Sequence, residues 1–564
     1  MGSSTFECDC IPLSNLESLK RSNNAPLPAQ ADAIRGMIAQ HKQDLGTLDL
    51  QVENMKGYKQ YLLEQVTRVD GLIEEFHQQR EKTCSAIQEE QMVLSPVRRL
   101  PAEVLSEIFF QTVEFPIKRT LTREESPHWS FHPAESTLMS VELVSKHWRR
   151  TVLSFPKLWS YVNILITEQS FKDDSHGIIR RVAQQLNRSK LYSLSLCISC
   201  SKETSSKFTH FPLALTTILL MVGSRTKELH LFVSSSMLSH FASLKLSFPL
   251  LDKLALLISD VPLPRLSQKR PWLLSNAPKL KKFEVIDVTF PSYLFRLPFH
   301  QIRHFKSEHI VTSTVSRGPA PFVSDLLDFL GAATDLETCV AELETGNSDA
   351  SLVQSRVHVY PILCCRLNSL NLSSSFSKDH ATKNAMKQFF NGLILPAVSS
   401  IKATCLVGHQ EREEAVVFTS LRGLLERSKP PLTILHFTHG HILPDDLLHV
   451  LRITSTLEDL RLLDVGPGTI TGEILDDLNA SKENYTAPRL RTLHLSGELD
   501  FSTGSFVEMV ESRWTLAENR LQRIDLCLFS ANAEPNVEEA TRLESLSVLH
   551  RHRAQGMSFT CKFR

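Results

Sequence analysis

Three short stretches of the 564-residue chain place chemically capable side chains close together. The first is HFTHGH, with His436, His439 and His441 at a strand end and its turn. Imidazoles at this spacing could hold zinc, but a zinc site needs a fourth ligand or a second pair, and none stands nearby. An exposed loop explains the stretch as well. The second is the C-x-x-C of Cys197 and Cys200, inside the alternating run LYSLSLCISC. It reads either as half of a zinc site or as two reduced thiols packed as small hydrophobes, and the strand-like setting favours the thiols. The third is GPGTITGE, Gly466 to Glu473. Its glycines lack the dinucleotide-binding spacing and no lysine-serine/threonine pair follows, so it reads as a turn with Thr471 capping the helix EILDDL. No G-x-S-x-G elbow occurs. The expectation is a binding protein rather than an enzyme, with no catalytic residue, metal or cofactor of its own.

Composition narrows the partners. Lysine plus arginine and aspartate plus glutamate are balanced at 62 each, so no bulk field draws the chain to nucleic acid or to a membrane. The most apolar window, Phe211 to Gly223, falls short of the roughly 20 residues that span a bilayer. Met1 opens no secretory signal. Besides the C-x-x-C, the close cysteine pairs are Cys8 with Cys10 and Cys364 with Cys365, which fits reduced thiols rather than disulfides. A soluble cytoplasmic and/or nuclear protein is expected.

The elements that would position any site fall into consecutive regions. Residues 1–30 are rich in Ser, Asn and Pro and are expected to be disordered. Residues 31–94 carry an unbroken heptad. One column is Ile38, Leu45, Val52, Lys59, Val66, Ile73, Arg80, Ile87 and Leu94; the other is Ile34, His41, Leu48, Met55, Leu62, Val69, Phe76, Thr83 and Glu90. Thirteen of these eighteen positions are apolar. That pattern predicts a coiled coil, paired with itself or with another helical protein, or a helical hairpin; a single amphipathic helix lying on its own protein is the alternative. Gly36, Gly46, Gly57 and Gly71 weaken the helix, and Lys59 and Arg80 weaken the seam. Ser95 and Pro96 close the region.

Residues 95–160 open with SPVRRLPAEVLSEIFF and close with ELVSKHWRRTVLSFPKLWS. Pro101 suits a first helical turn, and Val104, Leu105, Ile108 and Phe109 form one wide apolar stripe. Val141, Val144, Trp148, Val152 and Phe155 recur at helical spacing further on. The leucine-proline entry, the apolar first helix and the later valine, small, basic and tryptophan-arginine series resemble the F-box family. The ending Pro156-x-Leu158-Trp159 is similar to the variant of large fungal F-box families. The resemblance implies a small all-α module that binds the Skp adaptor of a cullin-based ubiquitin ligase, with adaptor-binding residues Leu100, Pro101, Val104, Leu105, Ile108, Phe109, Val144 and Trp148. The connection from Phe110 to Leu138, containing Pro116, Pro127 and Pro133, is longer than that family shows. A helical hairpin packed into the rest of the protein is the alternative.

Residues 161–564 repeat a six-residue phrase, apolar-x-x-apolar-x-apolar. Strong copies are LYSLSL, LDKLAL, LKKFEV, LNSLNL, LTILHF, LEDLRL, LRTLHL and LQRIDL; TKELHL, IRHFKS, LETCVA and VSSIKA are weaker. This resembles an irregular leucine-rich repeat, with helix-like returns such as SDLLDFLGAA and LPDDLLHVLRIT, the latter started by Asp445 and Asp446. An α/β domain with ordinary apolar strands is the alternative. The expected fold is therefore α/β: an N-terminal coiled-coil helix, a small all-α F-box-like module, then an irregular leucine-rich-repeat solenoid.

Within each phrase the residue between the last two apolar positions should point outward. The row is Ser195, His230, Ala255, Glu284, Lys306, Val340, Asn371, Lys402, His436, Arg461, His494 and Asp525. Four of these, His436, Arg461, His494 and Asp525, are candidate target-binding residues, suited to an acidic or phosphorylated segment if the histidines are charged. Simple solvation explains each one equally well. The functional expectation is a substrate-recognition subunit of an SCF-type ubiquitin ligase; the alternative is a non-ligase scaffold using the coiled coil and repeats.

Overall fold

The computed structural model describes residues 13–22, 24–112, 134–166, 175–200, 213–233, 235–258, 272–286, 296–308, 323–343, 361–374, 380–405, 415–466, 468–497, 501–528 and 544–563. It is α/β and divides into two compact units, Met1–Pro101 and Ala102–Arg564.

The first unit is helical. Helix α1 spans Leu13–Ser22, inside the region expected to be disordered. Leu13, Leu16 and Leu19 recur every third residue there, a helical spacing too short to stand out in a Ser- and Asn-rich stretch. Helix α2 runs unbroken over the 67 residues Pro28–Leu94, about 100 Å at 1.5 Å per residue. Pro28 sits in its first turn, and Ser95 caps it before a short 3-10 turn over Pro96–Arg99. No reversal interrupts it, so the hairpin reading of the heptads is excluded. None of its residues is buried. The four glycines hold outer heptad positions with nothing near them, which is where a helix tolerates them without damage to the seam.

The second unit opens with three helices: α3 Ala102–Thr112, α4 Ala134–Val144 and α5 Lys146–Ser154. Ser145 caps α5, its hydroxyl accepting from the Trp148 backbone N–H at 3.1 Å, which accounts for a small polar residue between Val144 and Lys146. A 3-10 turn over Pro156–Trp159 then buries Leu158 and Trp159, and the Trp159 indole donates to the Val152 carbonyl at 3.0 Å.

Strand β1, Tyr161–Ile166, follows directly and begins a fourteen-stranded parallel sheet. Its further members are β2 Leu194–Cys200, β3 Thr226–Val233, β4 Lys253–Ile258, β5 Lys282–Ile286, β6 His304–Glu308, β7 Thr338–Leu343, β9 Ser369–Ser374, β11 Ser400–Cys405, β12 Ile434–Gly440, β13 Asp459–Val465, β14 Thr492–Gly497, β15 Arg523–Leu528 and β16 Ser558–Phe563. The two-residue strands β8, Ile362–Leu363, and β10, Leu393–Ile394, pair only with each other. Every strand of the large sheet lies between its neighbours in chain order.

All twelve phrases of the sequence form strands of this sheet. In ten of them, from LDKLAL onward, the first apolar residue is buried just before its strand. The next N–H donates back to the preceding turn at 2.7–2.9 Å, from Asp252 to Lys227 through to Gln522 and Arg491. That ladder satisfies the backbone where the strands begin. The later two apolar residues of the phrases, with Ser307 in the place of the second in IRHFKS, face one core with the intervening helices, as in the contacts of Phe329 with Phe305 (4.5 Å) and Phe418 with Phe437 (5.2 Å). Two further strands lie outside the twelve phrases. The phrase of β1 starts on Trp159, with Val162 and Ile164 inside, and that of β16 starts on Gly556, where an apolar side chain is replaced by a glycine at φ 101°.

Candidate functional site

The helical module and the outer face of the sheet hold the two candidate surfaces. On α3 the apolar stripe divides. Leu105 and Phe109, both named as adaptor contacts, are buried at 0% and 2% exposure and pack into the core of the module. Val104 and Ile108 are exposed at 45% and 41%, and Val144 at the end of α4 at 60%. Trp148 is half-buried and its ring packs 4.9 Å from that of Phe109. Leu143, absent from the motif residues, is 85% exposed. Its only sequence signal is an apolar residue off the core stripe of α4. Leu100 and Pro101 end the first unit, Leu100 half-buried and Pro101 exposed. The long connection with Pro116, Pro127 and Pro133 lies outside the described residues.

On the sheet, strand register lines up the row expected to face outward, although His230 and Ala255 within it are buried at 3% and 1% exposure, so the expected solvation fails there. His230, Ala255, Glu284, Lys306, Val340, Asn371, Lys402, His436, Arg461, His494 and Asp525 are consecutive register partners. Thr560 extends the row beyond Asp525, and Cys197 and Asn163 extend it before His230. Ser195 is the exception: it pairs with Glu228, because the register shifts between Leu194 and Ser195. Leu191, the first residue of that phrase, is 92% exposed, unlike its buried counterparts further along.

Side by side on β12 to β15, the four candidates fall into two bonded groups, each with a residue outside the centre of the phrase, Asp459 in one and Arg523 in the other. Asp459, two residues before Arg461 on the same strand face, receives the Arg461 guanidinium at 3.1 and 3.0 Å and the His436 imidazole at 3.1 Å. Asp525 accepts from Arg523 at 2.7 Å and from Thr560, and His494 lies 3.9 Å away. The D-x-R and R-x-D spacings were the available signal, since residues two apart share a face of a strand.

At the C-terminal ends of these strands Asp464 faces His439 at 3.6 Å and accepts from Ser496 at 2.9 Å. Both His439 and Asp464 have positive φ, 56° and 52°. Gly497 follows Ser496 at φ 139°, where a Cβ would run into the Val465 carbonyl oxygen. Glycine is required there to let two strands approach at the bulge of β13.

The charges of this face are paired. Burial draws the Asp459 carboxyl up, but hydrogen bonds from His436 and Arg461 outweigh it and hold the group below its ordinary range. Burial lowers His494 more than Asp525 raises it, so the ring favours the neutral form. Asp459 and Asp525 thus stand against Arg461 and Arg523, a balanced face rather than a cationic patch. A phosphate would have to displace Asp459 from Arg461.

Ser496 donates to the Asp464 carboxylate rather than to an imidazole. His436 and His439 face different aspartates, and among the described residues no three His, Cys, Asp or Glu converge on a metal position. Cys197 is buried, its thiol pushed up to about 12 by that burial, although a hydrogen bond with Tyr161 draws it down. The side chain of Cys200 and all of Cys8 and Cys10 lie outside the described residues. Thr471 occupies the N-cap of Gly472–Leu478, but its hydroxyl makes no cap hydrogen bond, which corrects its expected role. Asp446, expected to favour a helix start, is buried and bonded to Arg422 at 2.5 Å and Thr419 at 2.6 Å. No family model matches the chain and no curated protein matches it.

Proposed function

We propose that the chain is a substrate-recognition subunit of a cullin-based, SCF-type ubiquitin ligase. In this reading residues 95–160 are an F-box-like module and residues 161–564 an irregular leucine-rich-repeat solenoid. The observation that carries it is the division of the motif residues. Leu105 and Phe109 build a core, while Val104, Ile108 and Val144, with the neighbouring Leu143, leave apolar surface in water on α3 and α4. Such surface suits an adaptor protein such as Skp. One phrase per strand, with strands in chain order, supports the repeat reading.

The mechanism is proximity. The module holds the adaptor, the outward row holds the target, and ubiquitin comes from an enzyme bound to the cullin. Raising the local concentration of a target lysine accelerates transfer without a catalytic group in this chain. His436, Arg461, His494 and Asp525, with Asp459 and Arg523, would contact the target. Their balanced charge suits a polar segment carrying both signs better than a phosphorylated one. Such an assembly works in the cytoplasm or nucleus.

Comparing protein abundance with and without the chain tests this: targets accumulate on deletion and fall again when the chain is restored. With Arg461→Ala and His494→Ala they should stay high while adaptor capture persists. Unchanged abundance of every protein on deletion contradicts the ligase reading. It would favour the scaffold reading, to which the exposed seam of α2 lends support.

A further inference from the structure

Helix α2 holds a seam of apolar side chains in water. Twelve of its thirteen apolar heptad residues are 45–69% exposed, from Leu62 at the low end to Leu94 at the high end. We infer that the seam is covered by the same helix of a second copy, running antiparallel and in full overlap. The inference does not rest on the ligase reading.

Charge along the helix selects both partner and direction. In a parallel, in-register pair each seam residue meets its own copy. Lys59 would face Lys59, Arg80 would face Arg80 and Glu90 would face Glu90, while Asp44 would flank Asp49 of the second copy. Every one of these contacts is between like charges, which destabilise a helical pair.

Reversing one helix removes them all. With the two copies fully overlapped, Leu62 packs against Val66 of the second copy, Met55 against Ile73 and Val52 against Phe76. The seam charges then meet neutral residues: Lys59 meets Val69, Arg80 meets Leu48 and Glu90 meets Ile38. Long Lys and Arg stems can lie along such apolar neighbours with their charges in water. Along one flank Lys56 comes opposite Asp70 and Asp49 opposite His77, each pair occurring twice by symmetry. Along the other flank Tyr58 meets Leu72, Met37 meets Val93, and no charged pair arises. Sliding the helices by one heptad in one direction brings Asp49 against Asp70 and Arg80 against His41, and sliding in the other loses the Lys56–Asp70 pairing. Full overlap is therefore the register that the charges favour. Gly36, Gly46, Gly57 and Gly71 all fall outside the seam.

The consequence is a rod about 100 Å long, from whose opposite ends the two chains continue past Leu94.

The test uses the full chain. Sedimentation at micromolar concentration should give a dimer; a monomer at every concentration up to the solubility limit overturns the inference. Mixing Met55→Cys and Ile73→Cys chains under mild oxidation should give, by mass spectrometry, a disulfide-linked peptide joining position 55 of one copy to position 73 of the other. A disulfide joining position 55 to position 55, formed by Met55→Cys chains alone, would show a parallel pair and overturn it. So would a dimer that survives deletion of residues 31–94. Charge reversal adds direction: Lys56→Asp and Asp70→Lys should each raise the dimer dissociation constant several-fold, and together should restore it. Failure of the double variant to recover sinks the antiparallel register.

Discussion

The Arg188 guanidinium lies 4.3 Å over the ring of Trp159, and its Nη1 donates to Glu142 at 2.9 Å. One side chain, at the end of α6 (Ser175–Arg188), thus joins the last turn of the helical module to α4. Trp159 is buried and leads straight into β1, so module and sheet share a packed joint rather than a free linker. In the proposed ligase, that joint would fix the geometry between adaptor and target.

Arg188→Ala should loosen the joint. Cation–π contacts and partly buried ion pairs are each worth about 0.5–2 kcal/mol, so a loss of about 1–2 kcal/mol is expected. Chemical denaturation of the full chain measures it. Arg188→Lys should recover part of the loss, and an Arg188→Ala protein as stable as the parent would show the joint to be held by other contacts.

Arg513 gives the largest stability prediction. It is fully buried on the helix Thr503–Thr515 and donates to the Leu478 carbonyl at 2.6 Å, the Ala487 carbonyl at 2.8 Å and the Thr486 carbonyl, with Tyr485 stacked at 4.8 Å. Burial lowers its pKa to about 10, still charged at neutral pH. Arg513→Met strands these carbonyls and should cost about 3–5 kcal/mol. Arg513→Lys cannot span all of them and should fall between. A loss below about 1 kcal/mol for Arg513→Met would contradict this account of the buried guanidinium.

The sheet face should respond to pH in two separate windows. His494 has its folded pKa below 6.5, so the neutral ring is favoured; stability from this site is full above pH 6.5 and falls as pH drops through the folded value. Asp459 is also depressed, so its contribution is present above about pH 4 and is lost only below that, as pH falls through its folded pKa. Histidine NMR should give a His494 midpoint below 6.5, moving lower in Asp525→Asn, which removes the raising charge. A midpoint above that value would restore the cationic reading of this face.

The glycines of α2 can be improved. Gly57→Ala and Gly71→Ala meet nothing within 4 Å and lie off the seam, so each should stabilise the helix by up to about 1 kcal/mol. Circular dichroism melts of the full chain would register it as a higher midpoint for the helical transition. A lower midpoint would mean these outer positions are in contact with a partner.

Much of this architecture was legible because one phrase recurs. Leu370 and Leu372 are inward while Asn371 is outward, and period-two alternation repeated twelve times leaves little freedom in the register. What stayed hidden depends on distance in space. The shift at Ser195 arises from the neighbouring strand, and no local residue announces it. Leu105 and Val104 are both apolar neighbours on α3, and only packing separates core from surface. Asp459 and Arg523 are legible only from two-residue spacing, because they stand outside the centre of the repeated phrase. The hairpin alternative for residues 31–94 could be decided only by seeing α2 continue through its glycines.

The central claim rests on one contact, between the exposed residues of the helical module and the adaptor. Purified Skp adaptor should bind the full chain, measured by calorimetry with the chain at micromolar concentration. Val104→Glu with Ile108→Glu, both at exposed positions, should abolish that binding while leaving the circular dichroism spectrum and melting midpoint unchanged. Adaptor binding that persists undiminished in this double variant, or no binding by the parent chain, would contradict the account.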